Sequence, residues 1–305
     1  MILREMPPIW NPAYRAGFYS RWGKENSVIS AHTRRAEYPP YAQLLSIKMV
    51  NGGEEAYFLD HRRIVVDDDT FLILNAERQY ASRIEALRPS HSFSVFFRTG
   101  LAEEVFDSLA RSTDSLLCDP TASGLRSVAF GESLREHDQL VSPVLRFICS
   151  AIDAGTAEPE WLEEQLHFLL GRMLRVEHKR LRALELVPMA KAVTRRELLR
   201  RLELAATYIH CCYREPLSLE RMAAAANMSR YHFLRTFSAV FGMSPFSYLT
   251  RKRIQVAKRL IQSSDWSLTD VAEHVGFGSR TTLYRRLKAD ARNQADQSPE
   301  RGPPR

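Results

Sequence analysis

Residues 218–241 read SLERMAAAANMSRYHFLRTFSAVF, and residues 267–290 read SLTDVAEHVGFGSRTTLYRRLKAD. Laid over one another they are two copies of one pattern, the second with one extra residue in its turn. Ser218 and Ser267 each stand as a helix N-cap, with Glu220 or Asp270 in the first turn, where a carboxylate favours the helix dipole. A helix of about two turns follows in each copy and ends at Asn227 or Gly276. After the turn, Ser229 or Ser279 caps a second helix. Two helices joined by a tight turn, twice over, predict a tandem helix-turn-helix.

The helical period assigns faces to the second helix of each copy. In the first, Phe233, Phe237, Val240 and Phe241 fall inward, while Tyr231, Arg235 and Ser238 fall outward. Leu234 lies on the shoulder of the outward face and Arg230 at the open N-terminal end. In the second, Leu283 and Leu287 face inward and Thr281, Arg285 and Lys288 outward, with Tyr284 on the shoulder and Arg280 at the N-terminal end. One exposed arginine is by default a solvated surface residue. Two copies that set an arginine at the same outward position, Arg235 and Arg285, point to a shared task. An arginine fork can bond guanine O6 and N7 together, and residues at a helix N-terminal end can reach base edges in a major groove.

Charge agrees with that reading. The 305-residue chain carries a net +7. From Ala190 onward 21 Lys and Arg stand against 10 Asp and Glu, giving +11, and the first 189 residues sum to −4. A basic C-terminal third behind a mildly acidic remainder fits a chain of which one part meets a polyanion. Between the copies, SPFSYLTRKRIQVAKRLIQSS (Ser244–Ser264) opens with Ser-Pro, a cap followed by Pro at the first helical position. Its helix is expected to run about 16 residues, or about 24 Å, enough to set two reading helices near one duplex turn, about 34 Å, apart. Arg251, Lys252, Arg253, Lys258 and Arg259 add charge there, as phosphate contacts or as a solvated face.

Upstream the pattern changes. YAQLLSIKMV, ending at the turn dipeptide Asn51-Gly52, then YFLDHRRIVV, TFLILNAE and HSFSVFFRT follow at short spacing and predict an antiparallel β unit over about residues 25–100. Helical periods take over at Leu101, in LAEEVFDSLARS, around 133–153, and from Glu158 to Leu184. In the last of these, Leu162, Leu166, Leu169, Leu170, Met173 and Leu174 form a wide apolar stripe, expected to pack on the β unit or to pair with a second copy of itself. Pro188 stops that helix, and Thr194 with Glu197 reads as a capping box for the next. The expected organisation is therefore a domain over 1–187, a linker over 188–194, a helical domain over 195–290 and a disordered, apolar-poor tail over 291–305.

Composition excludes several classes. Hydrophobic residues at 45% and charged residues at 26% are ordinary for a globular protein, no run approaches a membrane span, and the first twenty residues lack the core of a signal peptide, so a cytoplasmic protein is expected. Cys118, Cys149, Cys211 and Cys212 form no CxxC pair and read as thiols rather than bridges. His61 and His91 stand singly in the strand region, without the clustered carboxylates and imidazoles that a metal enzyme needs. No phosphate loop or nucleophile elbow is present. No catalytic residue, metal or cofactor is expected.

The stretch from LSLERMAAAANMSRYHFLRTFSAVFGMSPFSYLTRKRIQVAKRLI to SLTDVAEHVGFGSRTTLYRRLK resembles the DNA-binding domain of the AraC/XylS family of bacterial transcription regulators. It covers about the last third of the chain and includes both repeats, the FGMSP after the first, and the linking helix. The resemblance implies an α+β protein: an N-terminal cupin-like antiparallel β unit with helices that sense an effector and form a homodimer, and a C-terminal all-α tandem helix-turn-helix domain that reads promoter DNA. Tyr231, Leu234 and Arg235, with Arg280, Thr281, Tyr284 and Arg285, match the base-reading positions; Arg230 and Lys288 extend that set from the face assignment. Activation through RNA polymerase is the more common role in the family. A regulator without a small-molecule effector, and a cupin-type enzyme with a DNA-binding appendage, are the alternatives. Leu234 departs from the family in being apolar, and the chain departs again after Lys288, where the family repeats a Phe-Gly-x-x-Pro ending and a final helix.

Overall fold

The computed structural model describes residues 1–60, 62–110, 128–183 and 192–296. His61, Cys118, Pro188 and residues 297–305 lie outside them. The chain is α+β and forms two compact units, Met1–Thr207 and Tyr208–Arg305.

In the first unit, β1 (Ile2–Leu3), β2 (Ser27–Ala42), β3 (Ser46–Asn51), β4 (Glu54–Leu59), β5 (Arg62–Asp67), β6 (Thr70–Leu74), β7 (Gln79–Phe96) and β8 (Leu134–Glu136) form an eight-stranded sheet. All pairings are antiparallel except β1 with β2. The long β7 pairs β2 along its length, β4 through Ala81–Arg83, and β3 through His91–Phe96. The β2–β7 register slips between Tyr38 and Tyr41, where Pro39 and Pro40 have no N–H to give the ladder. The unit also holds α1 (Pro12–Arg21), which the sequence reading did not anticipate, then α2 (Leu101–Ala110), α3 (Val141–Ala154), α4 (Pro159–Ala183) and the start of α5 (Ala192–Cys211). The stretch around 133–153, expected to be helical throughout, is strand β8 followed by helix α3.

β3 and β6 are buried on both faces. On one side Ile47, Met49, Phe71 and Ile73 pack with α2, α3 and α4 in the main core; on the other Val50, Leu72 and Leu74 form a second cluster with Tyr57 and Tyr80. The α4 stripe is part of the main core: Leu166, Leu169, Leu170 and Met173 are fully buried in it. Of its two expected uses, packing on the β unit is the one observed.

The two compact units divide between Thr207 and Tyr208, and residues 188–191 of the expected linker lie outside the described residues. Ala192–Thr194 fall within α5, and Glu197 pairs with Arg200 and Arg201. Residues up to Thr207 belong to the first unit, because long-range polar ties hold them. Arg180 meets Glu203 at 2.6 Å, Arg135 meets Glu177 at 2.7 Å, and the Thr207 hydroxyl accepts from the Leu134 amide at 3.3 Å. None of these links is local in sequence.

The second unit continues with α6 (Leu219–Ala225), α7 (Arg230–Phe241), α8 (Pro245–Ser263), α9 (Leu268–His274) and α10 (Arg280–Asp296). Asn227 and Gly276 both take left-handed backbone, at φ +50° and +82°. After each, the next amide returns to the same carbonyl of the preceding helix: Met228 N–H to Ala223 O at 3.0 Å and Phe277 N–H to Ala272 O at 2.9 Å. The extra residue of the second turn is Gly278, again left-handed. α8 runs 19 residues, about 28 Å and longer than expected, and packs on all four other helices of the unit. α10 reaches Asp296, so residues 291–296 of the expected tail are helical.

Candidate nucleic-acid interface

Three kinds of cap start the helices that shape this face. Ser267 and Asp270 complete a reciprocal capping box at α9, and Ser244 accepts from the Ser247 amide at α8. At α10 the Ser279 hydroxyl accepts from the Thr282 amide at 3.3 Å. Ser229 occupies the N-cap position of α7 but makes no side-chain bond to the helix. The expected capping role of Ser229 is therefore positional only.

The inward faces carry the cores. Phe233, Phe237 and Leu283 are fully buried, and Phe233, Phe237, Phe241 and Tyr248 form a chain of ring contacts between α7 and α8 with centroids 4.3–5.6 Å apart. Thr236 is also fully buried and donates to His232 O at 2.6 Å. Its counterpart in the second copy is the exposed Arg286, and the counterpart of Phe241 is the exposed Ala291. α7 is covered on that side by α8, whereas α10 presents the same side to solvent.

Arg230, Tyr231, Leu234, Arg235, Arg280, Thr281, Tyr284, Arg285 and Lys288 are all exposed. Tyr231 at 77% and Tyr284 at 61% are too open for structural tyrosines. Tyr231 lies on the first turn of α7 and Tyr284 on the second turn of α10, next to Arg285. Arg230 is held at the surface by Glu220 of α6, Nη1 to Oε1 2.6 Å, and that partner keeps the Glu220 carboxyl below the usual range.

The basic run of α8 divides differently from the expectation. Lys252 is fully buried, with its ammonium 5.7 Å from the centre of the Tyr213 ring. Arg253 donates from Nε to Tyr213 O and from Nη2 to Glu215 O, both at 2.7 Å, and lies over Phe277. Lys258 pairs with Asp290 of α10 at 2.6 Å. These three cations hold the domain together and are not a solvated phosphate face.

A second feature lies within the N-terminal unit. Lys48 and Glu55, both buried, border a cavity with Tyr38, Tyr57, Tyr80 and Gln43. Ser92 donates to Glu55 Oε2 at 2.8 Å, and the Lys48 ammonium stands 3.5 Å from the centre of the Phe96 ring. Burial lowers the proton affinity of Lys48 and raises that of Glu55. Gln43 Oε1 and Tyr80 Oη make no hydrogen bond of ordinary geometry to protein. The sequence signal for this pair is a charge inside each of two mostly apolar strands, SIKMV and EAYFL. His91, expected to stand alone, stacks on His32 with ring centres 4.2 Å apart.

The fold and the exposed faces define a tandem helix-turn-helix protein. A family model described as a helix-turn-helix domain matches residues 222–292. The MmsAB operon regulatory protein of Pseudomonas aeruginosa is 38% identical over 61 residues, 20% of each chain. A putative AraC-like transcription regulator of Streptomyces lividans is 35% identical over 81 residues, 26% of this chain and 27% of that one. The crystal structure of the DNA-binding domain of AdpA, a global transcriptional factor, in complex with a target DNA is 28% identical, covering 33% of this chain and 98% of that one, with a TM-score of 0.29. The match spans about a fifth to a quarter of the first two relatives. Over this domain the chain is similar to AraC-like transcription regulators.

Proposed function

We propose that the protein is a sequence-specific transcription regulator that reads successive major grooves of promoter DNA with α7 and α10. The observation that carries this is the duplicated N-terminal half of the second helix: Tyr231 and Arg235 on one, Thr281, Tyr284 and Arg285 on the other, all exposed and set on helices packed against the same α8. Arg235 and Arg285 read guanine edges through paired bonds, Tyr231 and Tyr284 add flat contact, Leu234 offers an apolar contact to a thymine methyl, and Arg230, Arg280 and Lys288 meet phosphate. The related proteins named above are described as regulators, which favours this over the enzyme alternative.

Regulation enters through the N-terminal unit. A cavity bordered by a buried lysine and a buried carboxylate is suited to a small polar effector that pairs with both, and such a ligand acts by favouring one conformation over another. The exposed Leu109 and Phe168, on α2 and α4, support a homodimer contact. Activation, contact with RNA polymerase and a place in the cytoplasm at the nucleoid follow from this reading; among the described residues no helix is long and apolar enough to cross a membrane.

A gel-shift titration of the full chain on its own upstream region tests the DNA reading. Arg235→Ala and Arg285→Ala are each expected to cost about 1–3 kcal/mol of base discrimination, about 5- to 150-fold. Unchanged sequence preference in both variants would sink it. A thermal-shift screen with charged metabolites tests the effector; no ligand shifting the wild type would favour a regulator that answers to a protein partner or to its own concentration.

A further inference from the structure

Folding assembles a cluster that no one stretch of sequence contains. Ser30 on β2 and His91 on β7 lie on neighbouring strands, and α3 lays Cys149 and Asp153, one helical turn apart, against them. Ser30 Oγ stands 2.7 Å from His91 Nε2 and donates to Asp153 Oδ1 at 2.7 Å. His91 Nε2 is 3.6 Å from Asp153 Oδ1, and Cys149 Sγ is 3.8 Å from Asp153 Oδ2. One ligand atom from each of His91, Cys149 and Asp153 falls within 4.8 Å of the others.

We propose that His91 Nε2, Cys149 Sγ and an Asp153 carboxylate oxygen bind a divalent cation of the zinc class, with Ser30 Oγ or water completing a tetrahedral shell. An imidazole, a thiolate and a carboxylate are a donor set for such an ion, at bond lengths of about 2.0–2.3 Å, which places ligand atoms about 3.3–3.7 Å apart. The Asp153 oxygens already stand 3.6 Å from His91 Nε2 and 3.8 Å from Cys149 Sγ, and the whole set, within 4.8 Å, needs to close by up to about 1 Å. His91 and Cys149 are buried, while the Asp153 side chain is 40% exposed, so the site has a path from solvent. His32, paired with His91 in register and stacked on it at 12°, fixes the plane of the ligating ring. Burial favours the neutral imidazole, whose lone pair is the metal donor. On binding, the Cys149 thiol gives its proton to solvent and the sulfur takes the cation in its place; no oxidant or reductant is involved. The ion would bolt α3, which carries Val144, Leu145, Ile148 and Ile152 of the main core, to the sheet.

A hydrogen-bond network centred on Ser30 is the competing description of the same atoms, and a spectroscopic probe separates the two. The full-length chain, stripped with chelator, is titrated with Co²⁺ and then with Zn²⁺. A stoichiometric thiolate-to-cobalt charge-transfer band with strong tetrahedral d–d bands, bleached by Zn²⁺, is expected. Cys149→Ser should abolish the charge-transfer band, His91→Ala and Asp153→Asn should each weaken binding about tenfold or more, and the double variant Cys211→Ser, Cys212→Ser should leave it unchanged. Absence of the band in folded wild type, or its survival in Cys149→Ser, overturns the proposal. Should Cys149→Ser fail to fold, Asp153→Asn at its exposed side chain decides: unchanged Co²⁺ affinity there also overturns it.

Discussion

At Gly276 a side chain has no room. A Cβ there would stand 2.6 Å from the carbonyl oxygen of Arg214 and 2.9 Å from Arg253 Nη2, on backbone at φ +82°. Gly276→Ala is therefore expected to destabilise the second unit by about 1–3 kcal/mol or more, read as an earlier thermal transition, whereas Gly242→Ala, left-handed but with open space around it, should cost less. Outward residues such as Tyr231, Arg235, Tyr284 and Arg285 were legible because the helical period alone decides which way they point. Lys252 and Arg253 were not. A basic run on a helix reads as solvated, and what buries these two is Tyr213 and Glu215, about forty residues earlier in the chain.

Among the elements, the two helix-turn-helix copies are alike in turn chemistry and unlike in how their helices are started and covered. Ser267→Ala removes a reciprocal capping box and is expected to cost about 1 kcal/mol, while Ser229→Ala, which removes no side-chain cap, should fall within a few tenths of wild type. Denaturant melts of the two variants check this, and equal losses would contradict it. The turn at Asn51-Gly52, which joins β3 to β4, was readable from its dipeptide. Strand β8 was not, because its three residues, Leu-Arg-Glu, carry no alternating pattern, and the buried Arg135 is met by groups remote in sequence, Glu177 and Glu203, besides Gly131 O.

For the molecule as a whole, the α+β division and the tandem helix-turn-helix were present in hydropathy and repeat, since both depend on local period. The place where the two units divide was not, because the two ion pairs and the hydrogen bond that hold α5 as far as Thr207 in the first unit join residues 23, 68 and 73 positions apart. The internal cations of α8 carry a further consequence, for thermodynamics in salt. A cation already bonded to carbonyls or to Asp290 displaces no counterion from DNA, so the dependence of affinity on ionic strength should be shallower than the +11 of the C-terminal third implies. Each phosphate contact adds about 0.9 to the slope of log affinity against log salt. Lys288→Gln is expected to lower that slope by about one contact, and Lys258→Gln to leave it where it was.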